Sequence, residues 1–369
     1  MKRKGYLYEN VYDLDNLRIA HKNARKDKSF YKEVKMVDEK EWYYLRLLRD
    51  MLKNMSYRTS EYEMFYKNDS GKERKIYKLP YFPDRIAQWA LIQVIKPYLL
   101  WNFTDDTYSA IPFQGSHKCV SKVREAMRKD REGCRYCLKF DIKHYYQSID
   151  HEILKTKYRK LFKDKKLLTC IDEMIGSIET VEMEDKEQIN RMYGRTKGMI
   201  GIPIGNHLSQ YSGNLYLSDF DHWIKEEIGV EHYYRYMDDI VIFGESKQRL
   251  RYLFEKIKQY MSTLRLLIKQ NYQIFPSYVR GVDFVGYRIF GDYVLMRNKT
   301  KQKFKRKMLE INKGVNRYGA MDYNQWCSLS SYEGVLNHCN SYRLKKKYLY
   351  PLSRSKEEFY QKCIKEESI

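Results

Sequence analysis

Two adjacent acids, Asp238 and Asp239, sit between two apolar runs, Tyr233-Tyr234-Arg235-Tyr236 and Ile240-Val241-Ile242-Phe243-Gly244. Both runs are rich in β-branched and aromatic residues, so the pattern reads as strand, tight turn, strand. Hairpin turns favour Asn-Gly or Asp-Gly, and acid in that place calls for a cation. Carboxylate oxygens suit hard divalent ions such as Mg²⁺, which also bind phosphate-bearing substrates. A third acid, Asp141, closes the alternating run Tyr136-Cys137-Leu138-Lys139-Phe140. Alone it would read as a turn or helix cap. Two-metal phosphoryl transfer needs carboxylates from separate elements converging on ions about 3.5–4 Å apart. A strand end and a hairpin tip would supply them.

The elements that must carry these acids follow from periodicity. Residues 136–141 alternate as a strand with Cys137, Lys139 and Asp141 on one face. Ser148-Ile149-Asp150 offers capping residues for a helix bearing Leu154, Tyr158, Leu161 and Phe162. A helix is expected after Gly205 towards Ile224. Another is expected over 246–267, where Leu250, Leu253, Phe254, Ile257, Tyr260, Met261 and Leu264 form a stripe. Residues 1–70 read as polar and mostly helical, Gly71 to Pro83 as a basic strand-like stretch, Asp84 to Leu100 as helix, and 272–298 as strand-rich. The alternation is too irregular for a parallel βαβ array, so an α+β fold is expected.

The chain has 369 residues and a formal net charge of +22, with 70 Lys and Arg against 48 Asp and Glu. That excess fits a polyanionic partner better than a small-molecule substrate. The last 79 residues hold 17 Lys and Arg against 8 Asp and Glu. No apolar run approaches the roughly 20 residues that span a bilayer, and no apolar signal core follows the basic N-terminus. A cytoplasmic protein without a membrane partner is therefore expected. Cys134-x-x-Cys137 lacks a second ligand pair for zinc, so the 7 cysteines read as buried reduced thiols.

Tyr236-Met237-Asp238-Asp239, preceded by Phe140-Asp141-Ile142-Lys143-His144-Tyr145-Tyr146, resembles the catalytic palm of reverse transcriptases. Further blocks follow that family's order. Pro83-Asp84-Arg85-Ile86-Ala87-Gln88 resembles a fingers block, Gly201-Ile202-Pro203-Ile204-Gly205-Asn206-His207-Leu208-Ser209-Gln210 a loop and helix contacting template and nucleotide, and Gly281-Val282-Asp283-Phe284-Val285-Gly286-Tyr287 a primer grip. The resemblance implies a right-hand architecture: N-terminal region and fingers over 1–130, a palm over 131–290 with a loop-helix at 198–224, and a basic helical thumb over 291–369. It implies catalysis by Asp141, Asp238 and Asp239. Two Mg²⁺ ions, with Mn²⁺ as substitute, would be held by Asp141, Ile142, Asp238 and Asp239.

For nucleotide and template the same resemblance points to Lys72, Arg74, Lys75, Arg85, Tyr146, Pro203, Ile204, Gly205, Asn206, Gln210 and Lys269. The primer grip would be Phe284, Val285, Gly286 and Tyr287. Lys301, Lys303, Lys305, Arg306 and Lys307, with Lys345-Lys346-Lys347, would track phosphates. Blander readings stand beside several of these: core packing for Tyr146 and Ile204, a solvated basic face for Lys72, Arg74 and Lys75, and an Asp84–Arg85 ion pair.

Most reverse transcriptases carry Gln where Ile204 stands. The Gly201 block, with Lys269-Gln270-Asn271-Tyr272 and the opening Leu7-Tyr8-Glu9-Asn10, resembles the enzymes of diversity-generating retroelements. That subtype implies copying a template-repeat RNA into cDNA, with errors at adenines, from dNTPs and a primer. It also implies a small basic helical accessory protein, possibly a pentamer. The alternatives are another prokaryotic reverse transcriptase, of retron, group II intron or phage-defence type, and a non-catalytic RNA-binding protein on a polymerase fold.

Overall fold

The computed structural model of the chain describes residues 2–69, 72–178 and 199–367. It divides into two compact units, each discontinuous in sequence. Unit 1 comprises Met1–Pro112, Phe140–Glu231 and Leu253–Tyr272; unit 2 comprises Phe113–Lys139, His232–Tyr252 and Gln273–Ile369.

Unit 1 is mainly helical. Its first long helix, Leu14–Ala24, starts at Asp13, whose carboxylate accepts the backbone N–H groups of Asp15 and Asn16 and so satisfies two donors that the first turn leaves open. The helix Ile86–Asn102 buries Ile86, Ala87, Leu91, Ile95 and Leu99 completely. The helix His207–His222 is buried almost all round, and its polar residues have partners. Ser212 meets the Tyr158 hydroxyl at 2.9 Å, Asn214 donates to the Ser109 carbonyl at 2.7 Å, and Asp221 accepts from Thr107 at 3.2 Å. Paired in this way, they avoid the penalty of unsatisfied burial. Asp150 caps the helix His151–Leu161 through the Ile153 N–H, as the sequence suggests.

One expectation fails here. Residues 63–69 are not helical but form β1 (Glu63–Asp69), paired antiparallel with β2 (Lys72–Lys78) from Glu63↔Lys78 to Asp69↔Lys72. This ribbon is largely exposed along β1. Neither of its faces needs to be apolar, so the alternation that betrays a half-buried strand is missing.

Unit 2 carries the three-stranded sheet and most of the four-stranded one. The strand order β4-β5-β3-β6 joins β4 (Tyr233–Tyr236), β5 (Asp239–Gly244), β3 (Tyr136–Asp141, its first four residues in this unit) and β6 (Gln273–Pro276). β3 runs antiparallel to β6 with Tyr136 opposite Pro276 and Lys139 opposite Gln273. A second sheet orders β7 (Val282–Phe284), β8 (Tyr287–Ile289) and β9 (Val294–Met296). Beyond it, the helices Asn298–Tyr318 and Tyr323–Leu336 close on a core of Phe304, Met308, Ile311, Leu329, Leu336 and Leu352. Antiparallel pairing with separate helices is the α+β class expected.

Among the described residues no helix is long and apolar enough to cross a membrane. Phe304 is fully buried, so Phe304→Ala should destabilise unit 2 by about 3–5 kcal/mol, measured as a lowered denaturant midpoint. A midpoint equal to wild type would show that this cluster does not hold the C-terminal helices.

Candidate active site

Strands β4 and β5 are joined by Met237-Asp238, with Tyr236 opposite Asp239 and Tyr233 opposite Ile242. A two-residue hairpin loop needs positive φ at its first position, which normally selects Gly. Met237 supplies it at φ 55°. Arg235 is fully buried and donates from Nη1 to the Met237 carbonyl at 3.2 Å. The guanidinium thus braces the chain from below at the residue that precedes Asp238.

Asp239 opens β5, and its Oδ1 lies 3.3 Å from Lys139 Nζ. Lys139 also donates to the Asp283 carbonyl and sits 5.7 Å over the Phe284 ring. One ammonium therefore ties the acidic hairpin to β7. The sequence marks Lys139 only faintly, as one charge in an alternating run on the same face as Asp141.

In unit 1, Asp141 carries its own lysine. Its Oδ1 is 2.8 Å from Lys269 Nζ, with both side chains about one-third exposed. The backbone repeats the link: Lys269 N–H donates to the Asp141 carbonyl at 2.9 Å and Lys143 N–H to the Leu267 carbonyl at 2.7 Å. Ile142 between them is fully buried and bridges to Ile268.

The Gly201 block is stitched to the segment after Asp141. Ile202 N–H donates to the Tyr146 carbonyl at 2.9 Å and Gly201 N–H to the Ile149 carbonyl at 2.8 Å. His151 Nε2 meets the Gly201 carbonyl at 2.7 Å. Tyr146 packs on the helix His207–His222 at Gly213, where a Cβ would lie 3.5 Å from the Tyr146 hydroxyl oxygen. Pro203 is buried and Ile204 half-buried.

Gly205 takes φ 116°, a value that favours glycine. Asn206 donates to the Tyr62 hydroxyl at 3.0 Å and His207 N–H to Gln88 Oε1 at 3.1 Å. Arg85, Gln88, Gly205, Asn206, His207 and Gln210 help line a cleft of about 260 Å³. Four of these were predicted from sequence. Gln88 lay inside a quoted motif without a role, and nothing in the sequence marked Tyr62.

Other predicted residues are placed differently. Arg85 does not pair with Asp84, which is fully buried and accepts from the Tyr57 hydroxyl at 2.7 Å and Ser60 N–H at 3.1 Å. Arg85 turns instead to the Ala24 carbonyl at 3.3 Å. Lys75 faces Tyr66 across the ribbon, and its Nζ is 5.9 Å from the Tyr77 ring. The side chains of Lys72 and Arg74 lie outside the described residues.

In the β7–β8 hairpin, Phe284 and Tyr287 are buried. The accessible part is the turn Val285-Gly286, with φ 40° and 92°. The five predicted basic residues on the helix Asn298–Tyr318 do not share one face. Lys301 and Lys305 flank the buried Phe304–Met308 stripe on one side, Lys303 and Lys307 on the other, and Arg306 lies opposite. Lys305 sits 5.9 Å over Tyr348, and Lys307 pairs with Glu310 at 2.9 Å.

The model of the family described as reverse transcriptase (RNA-dependent DNA polymerase) matches residues 65–289, and the chain belongs to that family. Protein YkfC of Escherichia coli (strain K12) is 22% identical over 262 residues, which cover 70% of this chain and 59% of that protein. Apo telomerase from Candida tropicalis resembles the fold with a TM-score of 0.47 and 14% identity, covering 68% of this chain and 50% of that one. For telomerase from Candida albicans in complex with the TWJ fragment of telomeric RNA the values are 0.43, 12%, 82% and 61%. The chain thus spans half to three-fifths of the length of these proteins.

His207 stacks on Trp89 with ring centroids 4.0 Å apart. Burial, and then the charges of Arg85 and Lys96, lower its pKa to about 4. The unfolded chain takes up this proton near pH 6.5, so stability falls as pH drops from there towards 4. The melting temperature should therefore drop less between pH 7 and pH 5 in His207→Phe than in wild type. Equal drops would remove His207 from this balance.

Proposed function

We propose that this chain is an RNA-directed DNA polymerase that makes cDNA by two-metal nucleotidyl transfer. The observation that carries the proposal is the acidic hairpin. Asp238 stands on a braced two-residue turn, and Asp239 starts a strand neighbouring β3, which ends on Asp141. The donors fit a hard divalent cation. They are oxygens, and the Asp141 and Asp239 carboxylates each already face an ammonium group at 2.8 and 3.3 Å, so the positions favour positive charge. Asp141, Ile142, Asp238 and Asp239 would hold two Mg²⁺ ions, or Mn²⁺ in their place. When bound, the ions would acidify the attacking hydroxyl and stabilise the leaving pyrophosphate.

The protein's own groups would do the positioning. Tyr146, with Pro203, Ile204 and Gly205, would border the nascent base pair. Arg85, Asn206 and Gln210 would contact nucleotide or template from the cleft, and Lys72, Arg74 and Lys75 would reach the triphosphate from the β1–β2 ribbon. Lys269, released from Asp141, would be an ammonium close to the reacting phosphates. The Val285-Gly286 turn would carry the primer-grip role, with Phe284 and Tyr287 shaping it from the core. Lys301, Lys303, Lys305, Arg306 and Lys307 would meet phosphates along a thumb. In this reading 1–130 is the N-terminal region and fingers, 131–290 the palm and 291–369 the basic thumb.

We further propose the diversity-generating subtype, in which a template-repeat RNA is copied with errors at adenines alongside a small basic helical accessory protein in the cytoplasm. Its support is the resemblance of the Gly201 block, with Ile204 where a Gln would be able to hydrogen-bond the nascent pair. Primer extension on an RNA template with Mg²⁺, with and without a neighbouring basic helical protein, tests both levels. Asp238→Asn should abolish synthesis while leaving RNA binding intact, and retained synthesis would remove Asp238 from the site. Ile204→Gln should lower misincorporation opposite template adenine. An unchanged error spectrum would favour a retron, intron-derived or defence-type enzyme.

A further inference from the structure

The segment leaving the helix Tyr323–Leu336 lines an open cavity of about 590 Å³. Its wall is one stretch of chain, 336–350, held at several points. Asn340 N–H donates to the Val294 carbonyl at 2.7 Å, and Asn340 Oδ1 accepts Val294 N–H at 2.9 Å, which pins the loop to β9. Ser341 Oγ donates to the Leu336 carbonyl at 2.6 Å. Leu336, Leu349 and Leu352 anchor both sides in the core. The cavity is thus built before any ligand arrives, which spares the ordering cost of binding.

Its chemistry is one-sided. Arg343 and Lys345 line it, no carboxylate does among the described residues, and Lys345 is steadied by Asn337 Oδ1 at 2.6 Å. Two tyrosines on its wall, Tyr342 and Tyr350, are 67% and 53% exposed. Cationic groups that take phosphates beside open aromatic rings that take bases are the combination that binds single-stranded nucleic acid.

We propose that this cavity binds a single-stranded stretch of RNA or cDNA, with bases on Tyr342 and Tyr350 and phosphates at Arg343 and Lys345. The proposal rests on the reading that the substrates are polynucleotides. It adds a single-strand site to the lysines of the helix Asn298–Tyr318 that would meet phosphates. Such a site would hold template or product that is not base-paired.

The test is fluorescence anisotropy of the full chain with a short single-stranded oligoribonucleotide and, separately, with a blunt RNA–DNA primer duplex. Tyr342→Ala and Tyr350→Ala should each weaken single-strand binding about five-fold or more, while Tyr→Phe at either position restores it. Melting temperature and blunt-duplex affinity should stay at wild-type values. Alanine variants that bind single strands like wild type, or that lose duplex equally, would overturn the site. So would a polyglutamate competitor as effective as the oligoribonucleotide, which would assign the cavity to acidic polypeptide. Because anisotropy needs no synthesis, a wild-type chain that binds single strands but never extends a primer would sink the polymerase reading and leave this one standing.

Discussion

A single buried guanidinium sets the conditions for the acidic hairpin. Arg235 is among the largest fully buried side chains, and an arginine stays charged there, so it must be matched by acceptors. The Met237 carbonyl is one of them. Satisfying Arg235 and holding Met237 in a left-handed conformation are therefore one structural act. Its outcome is that Asp238 stands at the tip while Asp239 begins the next strand. Because register fixes which face each residue takes, the position of both acids follows from a cation that never meets solvent.

Unit 1 reaches its order by a different route. The loop before the helix His207–His222 is fastened mostly through main-chain groups of residues 146–151 and by side chains that cap its far end, Tyr62 and Gln88. Main-chain ties do not depend on the side chain at each position. The loop's path is fixed while Ile204 remains half-buried, so this residue is available for contact rather than spent on holding the loop.

Much of this was legible in the sequence where one physical rule dominated. The 3.6-residue stripe over 246–267 gave a helix at Lys247–Thr263, the alternation at 136–141 a strand, and Asp150 a cap. The acidic turn stood out because acid replaces glycine. What stayed hidden depended on partners distant in the chain. β1 is exposed, carries Met64, Phe65 and Tyr66 in a row instead of alternating, and pairs with β2. Asp84 and Arg85 look like a pair in sequence, yet each goes elsewhere. Phe284 and Tyr287, read as contact residues, are core, since aromatic type alone does not separate the two. Arg235 had a faint signal, one charge inside an apolar run leading into the turn. Lys139 had one too, but its partner lies 100 residues away.

Lys139 and Lys269 carry a further meaning. Clustered carboxylates repel, and a protein relying on an ion to quiet them would have to find that ion while folding. Here Asp239 and Asp141 are each answered by an ammonium encoded in the same chain. Each of these two carboxylates thus has its counter-charge within the polypeptide itself, so balancing them asks for no ion from outside.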